Sequence, residues 1–172
     1  HEKRKMLKDR YGLDCDIVAV SDINRGSVYD PKGLDIGELL RLVKESNKID
    51  EYRGGTKSMD SLRTIRETNA DVIVEAAWTN LETGEPGFTH IKEALKAKKH
   101  VITSNKGPIA LAYPELKKLA DDNGVQIRFE CTVMSGTPTI MLGIDGLAGH
   151  FVNGFRGILN GTTNYILTNM EK

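Results

Sequence analysis

A lysine beside a short apolar segment is the residue in this chain best suited to catalysis. Residues 103–108 read Thr-Ser-Asn-Lys-Gly-Pro and continue an apolar run that starts at His100. If that run is a strand of a parallel sheet, these polar groups lie at the carboxyl edge, where open α/β sheets bind ligands. An ammonium group in dry surroundings can transfer a proton or stabilise a developing alkoxide. We therefore predict that Lys106 is catalytic, with a solvated surface lysine as the alternative.

Asp22 is a candidate for binding the sugar of a dinucleotide, because it directly follows the apolar residues 17–21. A carboxylate at the end of the second strand of a nucleotide-binding fold can accept hydrogen bonds from ribose hydroxyls. Arg25 is near enough in sequence to approach a 2′-phosphate, so NAD and NADP both stay open. The Gly-rich fingerprint that normally lies about 20 residues upstream would fall before His1. The alternative is an aspartate that only forms a turn.

Residues 130–138, Glu-Cys-Thr-Val-Met-Ser-Gly-Thr-Pro, combine one carboxylate with a Gly-Thr-Pro turn. Such a segment can offer one charge and several backbone carbonyls to a hard cation. The alternative is a turn between domains whose carboxylate is satisfied by hydrogen bonds. Cys131 is interpreted as a small buried residue. His90 and His100 have no partner at metal-ligand spacing, and we interpret them as structural or surface residues.

Four short apolar runs are the strands expected to position these side chains: residues 17–21, 72–76, 100–103 and 126–130. Strands that alternate with helical segments are typical of βαβ units. The predicted fold class is therefore α/β, a Rossmann-type doubly wound sheet in which all four strands are parallel.

Helical patterns occupy most of the segments between these runs, with a loop expected over residues 24–33. We predict a helix over 35–48 with Ile36, Leu39, Leu40 and Val43 inward, one over 61–68 capped by Ser58 or Asp60, one over 88–99 with Ile91, Ala94 and Leu95 inward, and one from Pro114 to Asn123.

The texture changes from Gly124 onward, since eight of the 17 glycines lie between residues 124 and 161. We predict a short helix over 139–147, a strand of a different sheet over 151–159 and a helix from Asn160. The domain boundary is placed near residues 133–138.

Charge and composition exclude several classes of function. The chain has 24 basic and 24 acidic residues, so it has no electrostatic signature of a nucleic-acid or anionic-membrane partner. No apolar run approaches the roughly 18 residues of a membrane span. Two cysteines are too few for a disulfide framework, and residues 1–5 do not resemble a secretory signal. We predict a soluble, cytoplasmic protein.

The amphipathic pattern of residues 4–11, closed by Gly12, begins without a cap, and residues 160–172 stop inside a helical pattern. We expect the natural protein to extend beyond both ends.

Taken together, these segments resemble homoserine dehydrogenase. The resemblance rests on residues 10–13, 18–22, 103–108 and 130–138, and most specifically on 157–167, Gly-Ile-Leu-Asn-Gly-Thr-Thr-Asn-Tyr-Ile-Leu. It implies a dinucleotide-binding domain over 1–135 and the start of an α+β substrate-binding and dimerisation domain over 136–172. The family's Gly-rich first loop and most of its substrate domain have no counterpart here, so this piece alone is expected to be inactive.

The resemblance also implies roles for individual residues. Lys106 would lie beside the nicotinamide and the substrate, Gly161 and Thr162 would approach homoserine, and Glu130 with the carbonyls of Val133, Ser135 and Thr137 would hold a sodium ion. The residues implied in binding NAD or NADP are Asp22, Arg25, Ala77, Thr79, Ser104, Asn105 and Lys106.

The implied reaction is the reversible NAD(P)-dependent interconversion of L-homoserine and L-aspartate 4-semialdehyde, in the threonine and methionine branch of aspartate-family biosynthesis. The implied assembly is a homodimer or homotetramer. Two alternatives remain: another two-domain dinucleotide-dependent dehydrogenase, which would lack the segment 161–165, and a non-catalytic nucleotide-binding module.

Overall fold

The computed structural model describes residues 2–171, which fall into two compact units. Unit 1 is His1–Asp71 and unit 2 is Val72–Lys172. Each contains one three-stranded sheet. Among the residues described, no helix is both long and apolar enough to cross a membrane.

Unit 1 is built on an antiparallel sheet with the strand order β1-β2-β3. Its elements in chain order are α1 (Arg4–Tyr11), β1 (Ala19–Asp22), β2 (Gly26–Tyr29), α2 (Ile36–Glu45), β3 (Thr56–Lys57) and α3 (Ser61–Glu67). Its core consists of Val28, Leu34, Leu39, Leu42, Ile49 and Tyr52. As expected, α1 ends at Gly12, whose φ of 66° is in the left-handed region.

The prediction that residues 17–21 belong to the parallel sheet is wrong. β1 pairs antiparallel with β2, with Ala19 opposite Tyr29 and Asp22 opposite Gly26. Only residues 23–25 separate the two strands, and so short a connection forms a hairpin, whereas a parallel pair needs a crossover of a dozen or more residues. β2 lies within the segment that was expected to be a loop.

The helices of unit 1 begin at aspartates. The Asp35 carboxylate accepts hydrogen bonds from the N–H groups of Gly37 and Glu38, and the Asp60 carboxylate accepts one from Arg63. The cap at Asp60 confirms one of the two predicted alternatives. The predicted inward face of α2 is partly wrong, because Leu39 and Leu42 are buried whereas Leu40 and Val43 are exposed.

Unit 2 contains a parallel sheet with the order β4-β5-β6, formed by Val72–Glu75, His100–Thr103 and Ile127–Arg128. Helices α4 (Gly87–Lys96) and α5 (Lys106–Asn123) connect the strands and bury Ile91, Ala94, Leu95, Leu116 and Ala120. Three of the four predicted strands thus form the expected parallel sheet, and the α/β Rossmann-type class is confirmed.

Helix α5 begins eight residues earlier than predicted, at Lys106 and not at Pro114. It is kinked at Ala112, whose φ of −142° and ψ of 19° are not helical. Proline lacks an N–H group and its ring clashes with the preceding turn, so Pro114 forces this break. Beyond the kink the helix continues to the predicted end, where Gly124 adopts a left-handed φ of 68°.

The last part of unit 2 contains three short helices and mostly exposed residues. After a 3₁₀ helix at Glu130–Thr132 come α6 (Thr139–Ile144) and α7 (Gly161–Met170), which confirm the two predicted helices. The strand predicted over residues 151–159 is absent from the described structure, and all nine residues are exposed. Glycines at 154 and 157 weaken any strand there. The domain boundary at residue 135 stays a prediction.

Candidate functional site

The carboxyl ends of β4 and β5 are joined by the buried side chains of Glu75 and Thr103. The Thr103 hydroxyl donates a hydrogen bond of 2.9 Å to Oε2 of Glu75. The other carboxylate oxygen, Oε1, accepts the N–H of Ala77 at 2.9 Å. Only 3% of Glu75 and 2% of Thr103 are exposed, so water does not compete for these bonds.

Asn105 connects the loop after β5 to the loop after β4. Its N–H donates to Oγ1 of Thr103 at 3.0 Å, and its Nδ2 donates to the carbonyls of Ala77 and Trp78, both at 3.3 Å. Asn105 is 1% exposed, and in the described part of the chain its Oδ1 has no hydrogen-bond partner. Buried amide oxygens are normally satisfied, so Oδ1 is available to an N–H donor that enters this loop.

Lys106 is the first residue of α5, and it is exposed, as are Ser104 and Thr79. A cation at a helix N-terminus faces the positive end of the helix dipole, which is locally unfavourable. A lysine placed there against this preference is consistent with a role for its charge outside the helix.

Two glycines allow the surrounding segments to approach. A Cβ on Gly107 would lie 2.1 Å from the backbone oxygen of Asn80, and one on Gly87 would lie 2.5 Å from Nδ2 of Asn105. The first turns of α4 and α5 therefore pack closely around the loops.

The charge of Glu75 is balanced from α4. Nδ1 of His90 lies 3.8 Å from Oε1 of Glu75, and the His90 side chain is 15% exposed. Burial, the largest single influence, would raise the pKa of Glu75. The contact with His90 and the hydrogen bonds from Ala77 and Thr103 outweigh it and hold this pKa below its ordinary value of 4.5.

Asp22 and Arg25 form a separate polar group in unit 1, at the end of β1. Oδ1 of Asp22 accepts the N–H groups of Asn24 and Arg25, and Oδ2 accepts Nη1 of Arg25 at 2.9 Å. Burial would raise the pKa of Asp22, but these hydrogen bonds and the guanidinium charge lower it. Nε of Arg25 also donates to Asn47, so the guanidinium is held beside the carboxylate.

Glu130 begins the 3₁₀ helix and caps α6. Its Oε1 and Oε2 accept the N–H groups of Ile140 and Met141 at 3.0 and 2.8 Å. It also lines a pocket of about 330 Å³ formed by residues of α5, β6 and α6. The interpretation of Cys131 as buried is wrong: the 3₁₀ turn buries Thr132, whereas Cys131 is exposed.

Four other predicted ligands are exposed: Ser135 and Thr137, predicted for sodium, and Gly161 and Thr162, predicted for the substrate. Gly161 and Thr162 begin α7, where the Asn160 side chain accepts the N–H of Thr163 at 2.9 Å. Ser135, one of the predicted sodium ligands, has a left-handed φ of 54°. All roles predicted for individual residues stay predictions.

Sequence reasoning missed Glu75 and its contact with His90, and it placed Thr103 among the polar groups of residues 103–108 without assigning it a role. One signal was present: a glutamate inside the apolar run 71–77 is costly unless it is paired. Both histidines were interpreted as structural or surface residues, and both are structural. His90 contacts Glu75, and Nδ1 of His100 accepts the N–H of Gln126 at 3.0 Å. In residues 2–171, no group of three or more His, Cys, Asp or Glu side chains could hold a metal ion.

Comparison with known proteins assigns the two parts of the chain. Residues 6–99 match the profile of the Glutamate/Leucine/Phenylalanine/Valine dehydrogenase family, and residues 138–172 match that of the Homoserine dehydrogenase family. Homoserine dehydrogenase of Methanocaldococcus jannaschii is 45% identical over 172 residues, which are 100% of this chain and 51% of that protein. NAD(+)-dependent homoserine dehydrogenase of Pseudomonas canavaninivorans is 44% identical over 170 residues, 99% of this chain and 48% of that protein.

Solved structures agree with this assignment. A crystal structure from Archaeoglobus fulgidus, of a protein assigned as a homoserine dehydrogenase, superposes with a TM-score of 0.82 at 32% identity, covering 99% of this chain and 48% of that one. A hyperthermophilic archaeal homoserine dehydrogenase mutant in complex with NADPH superposes with a TM-score of 0.71 at 25% identity, covering 85% and 44%.

Two observations define a dinucleotide-binding dehydrogenase fold. One is the parallel sheet, whose polar loops are joined at its carboxyl edge, and the other is the family match over residues 6–99. Similarity along the whole chain is more specific: the chain belongs to the homoserine dehydrogenase family. It spans about half the length of the curated relatives that it matches.

Proposed function

We propose that the protein catalyses the reversible NAD(P)-dependent interconversion of L-homoserine and L-aspartate 4-semialdehyde. The observation that carries this proposal is the ring of hydrogen bonds that fixes Asn105 and Ala77 at the carboxyl edge, directly before Lys106 at the start of α5. The relatives named homoserine dehydrogenase and the NADPH complex support the substrate and the cofactor.

The residues at the edge of the sheet suit a nicotinamide group. The buried, unpartnered Oδ1 of Asn105 is an acceptor, and a carboxamide offers N–H donors, so the two fit. Ala77, Thr79 and Ser104 would line the same loops. Asp22 would accept hydrogen bonds from the adenosine ribose, and Arg25 would meet a 2′-phosphate if NADP binds.

Lys106 would act on the reacting oxygen of the substrate. A bound nicotinamide would supply or accept the hydride. In the direction of reduction, the ammonium of Lys106 would stabilise the negative charge that develops on the aldehyde oxygen, or donate a proton to it. Gly161 and Thr162 would contact the amino-acid part of homoserine.

A sodium ion at Glu130 is a separate proposal. Both carboxylate oxygens of Glu130 accept N–H groups of α6, and the carbonyl of Thr137 accepts the N–H of Thr139 at 2.8 Å. Each of these oxygens retains a second lone pair, so Glu130 and the carbonyl of Thr137 could also face a cation together with the carbonyls of Val133 and Ser135. We derive no catalytic step from it.

A homodimer or homotetramer is also proposed. Large apolar side chains in residues 138–171 are exposed, including Phe151 at 100% and Phe155 at 79%. Apolar surface of this kind normally packs against another part of a protein or another subunit. Light scattering of the full-length protein gives the oligomeric state, and a monomer would contradict the proposal.

Turnover assays decide the function. The full-length protein should produce NADH or NADPH from NAD or NADP with L-homoserine, and consume it with L-aspartate 4-semialdehyde. Because residues 6–99 match a profile of amino-acid dehydrogenases, glutamate, leucine, phenylalanine and valine are the matched alternative substrates. Turnover of one of these amino acids, with no turnover of homoserine, would favour the second candidate function, a different dinucleotide-dependent dehydrogenase. Cofactor binding with no turnover of any of them would favour a binding module.

A further inference from the structure

The buried carboxylate of Glu75 contacts the two loops that carry the predicted nicotinamide-binding residues. One oxygen accepts the N–H of Ala77, in the loop after β4, and the other accepts the hydroxyl of Thr103, at the end of β5. The same group therefore holds both segments at the points where they leave the sheet.

Thr103 extends this contact to Asn105. A hydroxyl has one proton and two lone pairs, so donation to Glu75 orients the group and leaves a lone pair for the Asn105 N–H. The Asn105 side chain then returns to the carbonyl of Ala77, which closes a ring of hydrogen bonds. Lys106 is the next residue along the chain.

A carboxylate is an expensive choice for this position if packing alone were required. Burying an ionised group is unfavourable unless it is paired and hydrogen-bonded, and apolar residues of similar volume often serve packing as well or better. Glu75 nevertheless lies fully inside unit 2 with His90 at 3.8 Å. What the carboxylate adds over an apolar residue is two acceptor oxygens, one for each loop.

We propose that Glu75 is a positioning residue that sets the spacing of the Ala77 and Asn105 loops through Thr103, and thereby the location of Asn105 Oδ1 and of Lys106. The identity of the group bound between the loops rests on the proposed function. The hydrogen-bond coupling itself does not, so the two can be tested apart.

The first measurement is hydrogen exchange of the ligand-free, full-length protein, followed over residues 74–79 and 102–107. Glu75→Gln keeps the shape of the side chain but cannot accept from both loops at once. Exchange in both segments should become about five- to tenfold faster, as expected for the loss of one net hydrogen bond. Faster exchange over 74–79 alone would overturn the proposal, because Glu75 would then act only on its own loop.

The second measurement is the dissociation constant of NADH and NADPH from fluorescence titration. Thr103→Val removes the hydroxyl with little change in volume and should weaken binding of the preferred dinucleotide about tenfold. Thr103→Ser retains the hydroxyl and should bind within about twofold of the parent. Thr64→Val is the matched control, because the Thr64 hydroxyl donates to the carbonyl of Asp60 at 2.8 Å at the start of α3, in unit 1 and outside both loops.

The outcomes separate the two proposals. Coupled exchange without homoserine turnover supports the positioning role and contradicts the proposed function. The opposite result is homoserine turnover by the parent with unchanged hydrogen exchange and dinucleotide binding in Glu75→Gln and Thr103→Val. That result supports the proposed function and contradicts the positioning role. If Thr103→Val fails to fold, the other two variants decide. The positioning role is overturned if Thr103→Ser loses dinucleotide binding. It is also overturned if Glu75→Gln binds the dinucleotide as tightly as the parent.

Discussion

Gly107 lies against Asn80 so closely that a Cβ atom on Gly107 would be 2.1 Å from the Asn80 backbone oxygen. This contact joins the first turn of α5 to the loop that follows β4, in the same region as the hydrogen bonds of Asn105. This close contact explains why a glycine follows Lys106. Any side chain at this position would clash with the loop and push the start of α5 away from it.

We expect Gly107→Ala to lower the free energy of unfolding by about 1–3 kcal/mol, because the added methyl group meets backbone and not a movable side chain. It should also weaken NAD(P)H binding. The control is Gly143→Ala in α6, where a Cβ meets nothing within 4 Å. Alanine there should be neutral or stabilising by about 0.5–1 kcal/mol, since it favours helix. Urea unfolding of both variants tests this, and equal stabilities would contradict it.

The elements predicted well were those with continuous apolar runs or a regular helical pattern. The runs that became β4 and β5 are continuous apolar segments, and α4 buries the three predicted residues Ile91, Ala94 and Leu95. β2 was missed because Gly26–Tyr29 begins with glycine and serine and follows turn-forming residues. The start of α5 was missed because glycine and proline are poor helix formers, although proline is tolerated in a first turn.

The sequence also predicted one contact of the candidate site and not another. The rule that parallel strands bring their carboxyl ends to one edge predicts that Ala77 and Asn105 lie close together, and they are hydrogen-bonded. The pairing of Glu75 with His90 could not be predicted, because it depends on how α4 packs on the sheet. Sequence alone shows that a buried glutamate needs partners and does not show which ones.

Cofactor preference should depend on Asp22. Asp22→Ser removes the predicted ribose acceptor and releases Arg25 from its ion pair of 2.9 Å. We expect the NAD/NADP ratio of kcat/KM to fall about tenfold or more, the value of one charged hydrogen bond. Asp14→Ser, which removes an exposed carboxylate paired with Arg4, is the control and should leave the ratio unchanged. An unchanged ratio in Asp22→Ser would show that Asp22 does not contact the ribose.

Low pH should lower the free energy of unfolding through protonation of Glu75. Because its folded-state pKa is held below the ordinary 4.5, the ionised carboxylate stabilises the folded protein above pH 4.5, and this contribution is lost as the pH falls through the lowered value. Glu75→Gln does not titrate. The difference in free energy of unfolding between the parent and Glu75→Gln should therefore shrink from about pH 6 to about pH 3. A difference that stays constant over this range would contradict the lowered pKa.

Glu130 should stabilise the start of α6. Glu130→Gln removes the charge that faces two N–H groups, and a loss of about 0.5–1 kcal/mol in the free energy of unfolding is expected from the helix dipole. If sodium also binds at Glu130, the same variant should respond less to sodium in turnover. Glu115→Gln, at an exposed carboxylate paired with Lys92, is the control. Indifference to sodium in the parent and in Glu130→Gln would refute the sodium proposal.

Lys106 provides the most direct test of the catalytic proposal. It is exposed at the first position of α5, where the helix dipole disfavours a cation, so its replacement should not destabilise the fold. Lys106→Ala in the full-length protein should lower kcat about 100- to 1000-fold, the usual effect of removing a well-placed charge from a reacting oxygen. Lys106→Arg should not restore the rate, because a guanidinium is bulkier and does not release a proton. Lys118→Ala, at an exposed lysine on the same helix, is the control and should turn over at the parental rate. Steady-state kinetics with homoserine and NAD or NADP, with thermal unfolding as a check on folding, decide the matter: near-parental turnover in Lys106→Ala would remove this lysine from the mechanism.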